Sequence, residues 1–140
     1  MKKTRLVVIG NGMVGHRFLE ALVDKAQIAR YEITVFCEEP RLAYDRVHLS
    51  SFFSHHTVEE LSLVKEGFYE QHGIKVMVGE RAIRIDTAKK TVSSAHIPDL
   101  PYDKLILATG STPFVPPIKG TQNPYCFAYR TIEDLRSIES

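Results

Sequence analysis

Gly10, Gly12 and Gly15 stand at a Gly-x-Gly-x-x-Gly spacing directly after the apolar run Leu6-Val7-Val8-Ile9. What this stretch offers to chemistry is bare main chain. A glycine at the first position lets the chain turn sharply out of a strand. One at the second lets a pyrophosphate come against the backbone, and one at the third lets helix and strand pack closely. The unpaired N–H groups of a helix's first turn, with the helix dipole, then favour an anion. On this reading the binding groups are the amides of Gly12, Met13, Val14 and Gly15. A strand-to-helix turn with no ligand would need similar glycines, so the spacing alone does not decide. Ile33-Thr34-Val35-Phe36 adds a second feature, because it reads as the next strand and runs into Glu38 and Glu39. These acids lie roughly 20 residues beyond the last glycine, where a carboxylate that holds a ribose hydroxyl pair is expected. An acid there fits NAD or the adenosine half of FAD. Glu38 is preferred, with Glu39 as the alternative.

The elements that position these residues follow from periodicity. Phe18, Leu19, Leu22 and Val23 fall on one face at helical spacing after Gly15. Arg41 to Phe53 has no clean period and reads as a loop followed by a short helix. Thr57-Val58-Glu59-Glu60 carries a capping-box pattern, and a helix is expected over 65–71, stopping at Gly73. Ile74 to Val78 reads as a strand beside the first two. Ala82 to Asp86 and Thr91 to Ser93 alternate about a polar turn, as in a hairpin. Pro98 and Pro101 bracket a loop. Tyr102 to Gly110 contains a continuous apolar run, expected of a strand buried on both faces. Thr131 caps a last helix with acids in its first turn. That helix runs into Ser140, so the chain is expected to be a piece of a longer protein.

Composition narrows the function classes. The chain has 140 residues, 44% apolar and 25% charged, with a net charge of +1. That is the range of an ordinary globular domain with its own core. Beyond Lys2-Lys3 there is no basic run, so neither nucleic acid nor an anionic membrane has an electrostatic footprint. The apolar run after Arg5 stops at Gly10, too soon for a signal peptide, and a cytoplasmic protein is expected. Cys37 and Cys126 are far apart and in no metal-type spacing. His55-His56 are adjacent, without a placed Cys or Asp partner, and read as a solvated loop rather than a metal site.

Two motifs together carry a family resemblance: the Gly10-x-Gly12-x-x-Gly15 turn, and Ala108-Thr109-Gly110 after the later apolar run. The chain resembles the FAD-binding part of the pyridine-nucleotide-dependent flavoprotein reductases. More narrowly, Phe36 to Ser51 and Gly67 to Ile74 are similar to the large subunit of bacterial NADH-dependent nitrite reductases. The resemblance covers the whole chain. It implies an α/β Rossmann-like FAD/NAD(P)-binding domain over residues 1–140, incomplete here. Such a domain has a central parallel sheet, helices on one side and a small β-hairpin or meander on the other.

FAD is the implied cofactor. The parent reductase also uses NADH, an iron–sulfur cluster and sirohaem, all bound outside this chain. The remaining NAD-binding and sirohaem parts, and a small subunit, are the implied partners. Residue by residue, the backbone N–H groups from Gly12 to Gly15, after the turn at Gly10, would sit on the pyrophosphate, and Glu38, or in its place Glu39, would take the adenosine ribose. Arg46 would lie by the flavin, Ala82 would offer backbone to the adenine edge, and Ala108, Thr109 and Gly110 would pass beneath the cofactor. Arg130 would close over it. Ser51 stands where the family has a Lys that contacts the flavin. Arg46 and Arg130 each have a plainer reading, as exposed cations paired with Asp45 or Glu133.

No redox cysteine pair occupies Arg41 to Leu49, and no side chain is assigned a catalytic role, since the isoalloxazine carries the hydride chemistry in such proteins. The preferred reading is therefore the FAD-binding portion of an NADH-dependent nitrite reductase. The FAD domain of a ferredoxin or rubredoxin reductase, or of an NADH oxidase, is the alternative, as is a dinucleotide-binding module without turnover. As a fragment, the chain is expected to retain FAD weakly and not to oxidise NADH alone.

Overall fold

The computed structural model describes residues 2–54 and 57–140. His55 and His56 lie outside the described residues. The chain forms two compact units, Met1–Tyr44 with Leu63–Gly110, and Asp45–Ser62 with Ser111–Ser140.

The first unit is built on a four-stranded parallel sheet. Its strands are β1 (Thr4–Ile9), β2 (Tyr31–Cys37), β3 (Lys75–Val78) and β7 (Lys104–Leu107), in the order β3-β2-β1-β7. Successive side chains of a strand point to opposite faces, and the core divides accordingly. Leu6, Val8, Ile33 and Val35 pack with Leu19 of α1 (Met13–Asp24) and Tyr69 of α2 (Phe68–Gln71). Val7, Ile9 and Phe36 pack with Val92 and Tyr102 on the other face. Val92 belongs to β5 (Thr91–Ser94), which lies between β4 (Ala82–Asp86) and β6 (Leu100–Pro101) in an antiparallel sheet. Helices thus cover one face of the parallel sheet and a small meander covers the other. Arg5 and Asp103 clip β1 to the start of β7. Arg5 Nε and Nη2 donate to the Asp103 carboxylate at 3.1 and 2.9 Å, and the Arg5 amide adds a third bond at 2.8 Å. These bonds hold the Asp103 carboxyl well below the usual carboxylate range.

Three expectations need correction. The helix expected over 65–71 begins only at Phe68, because Gly67 adopts φ +74°, a left-handed conformation that breaks a helix. Gly73, at φ +66°, does end that helix, and the Ile74 amide donates to the Tyr69 carbonyl at 2.9 Å. The region between Pro98 and Pro101 is not all loop, since Leu100–Pro101 adds an outer strand to the meander. A proline lacks an N–H and is tolerated at such an edge. Finally, β7 is not buried on both faces. Leu105 and Ile106 are half-buried and Leu107 is 62% exposed, because β7 pairs with β1 alone and forms the sheet's edge.

The second unit contains 3-10 turns at Leu49–Ser54 and Glu59–Leu61, and α3 (Ile132–Glu139). Thr57 Oγ1 accepts from the Glu60 amide at 3.3 Å, so the capping pattern there starts a 3-10 turn rather than a longer helix. Thr131 and Asp134 form a full capping box on α3, which buries Ile132 and Leu135. Thr131→Ala is expected to cost about 1 kcal/mol, read as faster amide hydrogen exchange along α3. Unchanged protection there would show that the cap contributes nothing.

Candidate functional site

The chain runs from β1 through α1 to β2 on one side, and later returns to β7 on the other side of β1. The C-terminal end of β1 is therefore the point where strand order reverses, the place where open α/β sheets bind ligands. The three glycines sit there and do different work. A Cβ on Gly10 would lie 2.1 Å from the Ala108 carbonyl oxygen, and its φ of +113° is one that side chains resist. A Cβ on Gly15 would lie 2.4 Å from the Gly10 carbonyl oxygen. A Cβ on Gly12 would meet nothing within 4 Å. Gly10 and Gly15 are thus required by packing, and the space in front of Gly12 is open.

The amides around that space are uncommitted. Gly10 N–H donates to the Phe36 carbonyl at 2.9 Å, and His16 N–H donates to the Gly12 carbonyl at 3.0 Å. Among the described residues, none accepts from the amides of Gly12, Met13, Val14 or Gly15. No side chain caps α1 and no acid stands in its first turn. Gly15 is buried, while Met13 and Val14 are exposed. Four donors without acceptors at a helix start, beside a position with no side chain, suit a phosphate group on steric and electrostatic grounds.

Other residues expected at the site fall around this turn within the first unit. Glu38 follows β2 with its carboxylate exposed, 3.7 Å from Arg81 Nε, while Glu39 is half-buried. Ala108 packs on Gly10 and Gly15, and its amide donates to the Ile9 carbonyl at 2.8 Å. Thr109 and Gly110 are exposed beyond it. Ala82 opens β4, and together with Ile9, Ile83, Ile85, Leu107 and Thr109 it lines an open cavity of about 290 Å³.

Arg46 and Arg130 belong to the second unit, which brings them together. Arg46 Nη1 donates to the Arg130 carbonyl at 2.9 Å, and both line a cavity of about 230 Å³ with Ser50 and Tyr129, whose hydroxyls are 2.8 Å apart. Asp45 is engaged with His48 Nδ1 at 2.6 Å and with the amides of Val47 and His48. These bonds, that to the His48 ring foremost, keep its carboxyl below the usual range.

One part of the site was not foreseen from the sequence: a buried polar cluster behind the glycine turn. Tyr69 Oη lies 2.8 Å from both Asn11 Nδ2 and His16 Nδ1, and Asn11 Oδ1 accepts from the Ala43 amide at 2.9 Å. Burial pushes the His16 imidazole down from its ordinary value, against the opposing influence of Glu20, and pushes the Tyr69 phenol up to about 12. The only signal available beforehand was an Asn and a His flanking glycines, which many surface turns also have.

The sequence and the fold find counterparts in known proteins. Residues 4–140 match the family described as pyridine nucleotide-disulphide oxidoreductase. The chain belongs to that family. It is 67% identical over its full length to the NADH nitrite reductase large subunit of Escherichia coli K12, and 48% identical over 138 residues to the NAD(P)H nitrite reductase large subunit of Klebsiella oxytoca. It spans all and 99% of itself in those matches but only 16% and 14% of the two relatives. Among solved structures, the NADH:rubredoxin oxidoreductase of Clostridium acetobutylicum superposes with a TM-score of 0.77 at 25% identity, over 99% of this chain and 35% of that one. Among the described residues, no helix is long and apolar enough to cross a membrane, and no cluster of three or more His, Cys, Asp or Glu could hold a metal ion.

Two outcomes are expected from this geometry. Gly10→Ala and Gly15→Ala should each lower stability by about 2 kcal/mol or more, from overpacking and, at Gly10, backbone strain. Gly12→Ala should stay within about 0.5 kcal/mol of the parent. Urea unfolding of the three variants decides, and equal losses at all three would refute this division. The second outcome concerns pH. A histidine whose folded value is depressed supports the fold fully above the unfolded value, about 6.5, and loses that support as pH falls below it. Stability should therefore decline from pH 7.5 to 5.5, with a His16 contribution of at most about 1.4 kcal/mol per pH unit. His16→Gln should remove that part of the slope.

Proposed function

We propose that this chain is the FAD-binding portion of a cytoplasmic NADH-dependent nitrite reductase. The observation that carries this reading is the set of open amides from Gly12 to Gly15 at the strand-order reversal. In the proposed complex those amides donate to the pyrophosphate, and the absent side chain at Gly12 permits close approach. Glu38, whose carboxylate is exposed at the end of β2, accepts from the ribose hydroxyls of the adenosine half. Glu39 is the second acid within that turn. Ala82 and Ala108 to Gly110 contribute backbone, while the flavin-side role of Arg46 and Arg130, in the second unit, rests on the family resemblance alone.

When bound, FAD supplies a two-electron acceptor for the hydride of NADH and a donor of single electrons. Iron–sulfur and sirohaem centres, the NAD-binding part and a small subunit belong to the rest of the parent assembly. The residues described here bind and orient, and none of them is proposed to carry out a chemical step. The 67% identity to a nitrite reductase large subunit, across the whole chain, supports this reading over a rubredoxin-type reductase at 25%.

The test uses ADP, which presents the ribose and diphosphate without the flavin. Titration of the ¹⁵N-labelled chain should shift the amide resonances of Gly12 to Gly15. Gly12→Val should abolish that shift and leave the unfolding midpoint close to the parent's. Shifts confined to other residues, or a response untouched by Gly12→Val, would overturn the assignment.

A further inference from the structure

Backbone packing fixes Gly10 and Gly15, but Gly12 between them meets nothing within 4 Å and α1 has no side-chain cap. Asn11 lies one residue before Gly12 and His16 one residue after Gly15, and both side chains are turned into the protein, at 8% and 2% exposure. One set of proton positions satisfies all the hydrogen bonds among them. Asn11 Oδ1 accepts from the Ala43 amide, which commits its Nδ2 to donate to Tyr69 Oη. The Tyr69 hydroxyl proton then goes to His16 Nδ1. The imidazole proton is left on Nε2, towards the Leu63 backbone and the Glu20 carboxylate at 3.7 Å. One phenol at the start of α2 therefore grips both ends of the glycine turn.

We propose that Tyr69 is a positioning residue for a dinucleotide diphosphate, its hydroxyl clamping Asn11 and His16 so that the Gly12 to Gly15 amides converge on one anion. This rests on the assignment of those amides to the pyrophosphate. Donors held in place before the ligand arrives gain affinity because less ordering remains to be done on binding. The Tyr69 ring also packs edge-on against His16 and Phe68, so Tyr69→Phe keeps the packing and removes only the clamp.

Tyr69→Phe, which removes the bonds to both Asn11 and His16, is expected to weaken ADP binding about tenfold, and adenosine binding less than twofold. The Ala43 amide, held by Asn11, should exchange its hydrogen faster in this variant. Asn11→Ala should show the same selectivity, and the loss in the double variant should fall short of the sum of the two single losses, since the Asn11–Tyr69 bond is removed in both. A lowered unfolding midpoint with unchanged ADP affinity, an equal loss for adenosine, or additive effects would overturn the proposal. If Tyr69→Phe does not fold, the ratio of ADP to adenosine affinity in Asn11→Ala decides, and an unchanged ratio overturns it. Absence of ADP binding by the parent chain would defeat the pyrophosphate assignment and the proposal with it. Ala43 exchange needs no ligand, so unchanged protection in Tyr69→Phe would defeat the clamp alone.

Discussion

Where β1 ends, three backbone segments meet with no room for a side chain. The Gly10 turn lies against the Ala108 carbonyl, and Gly15 lies against the Gly10 carbonyl. This contact sets where α1 starts and brings β7 alongside β1, so the reversal in strand order and the head of the helix coincide. The arrangement leaves the first turn of α1 without acceptors. The contrast with α3 is instructive. There Thr131 takes the Asp134 amide, and Asp134 takes the amides of Arg130 and Thr131 at 2.9 Å each. One helix closes its own beginning; the other leaves its beginning open. The same orphan amides are present in both cases, and the residues before the helix decide which use is made of them.

Much of the first unit could be read from the chain because its signals are local. Short runs rich in β-branched residues marked β1 and β2, glycine spacing marked the turn between β1 and α1, and alternation about a polar turn marked the hairpin of β4 and β5. What escaped depends on partners distant in sequence. Whether Leu107 is covered depends on which strands flank β7, and its own residues do not say. Gly67 looks like a tolerable helix residue until its left-handed φ is known. The Tyr69 cluster joins positions 53 and 58 residues apart, and nothing in Asn11 or His16 names that partner. In the second unit, Arg46 and Arg130 were singled out by resemblance. The backbone carbonyl of Arg130 that Arg46 meets lies 84 residues away and has no mark in the sequence.

The two units use different means to present polarity. In the first, charge is nearly absent from the glycine turn and the polar groups are main-chain donors, with side chains held behind as supports. In the second, guanidinium and hydroxyl groups line a cavity directly. Backbone donors are fixed by the fold and cost little to organise, which suits a group common to many nucleotides. Side-chain cations are set by residue choice.

The outer strands of the parallel sheet, β3 and β7, both begin with an exposed lysine, Lys75 and Lys104. A charged residue on a rim guards against indiscriminate pairing. Any further strand laid along either rim must leave that ammonium hydrated or bring a carboxylate to meet it. The lysines therefore act as gatekeepers, filtering which neighbours can extend the sheet.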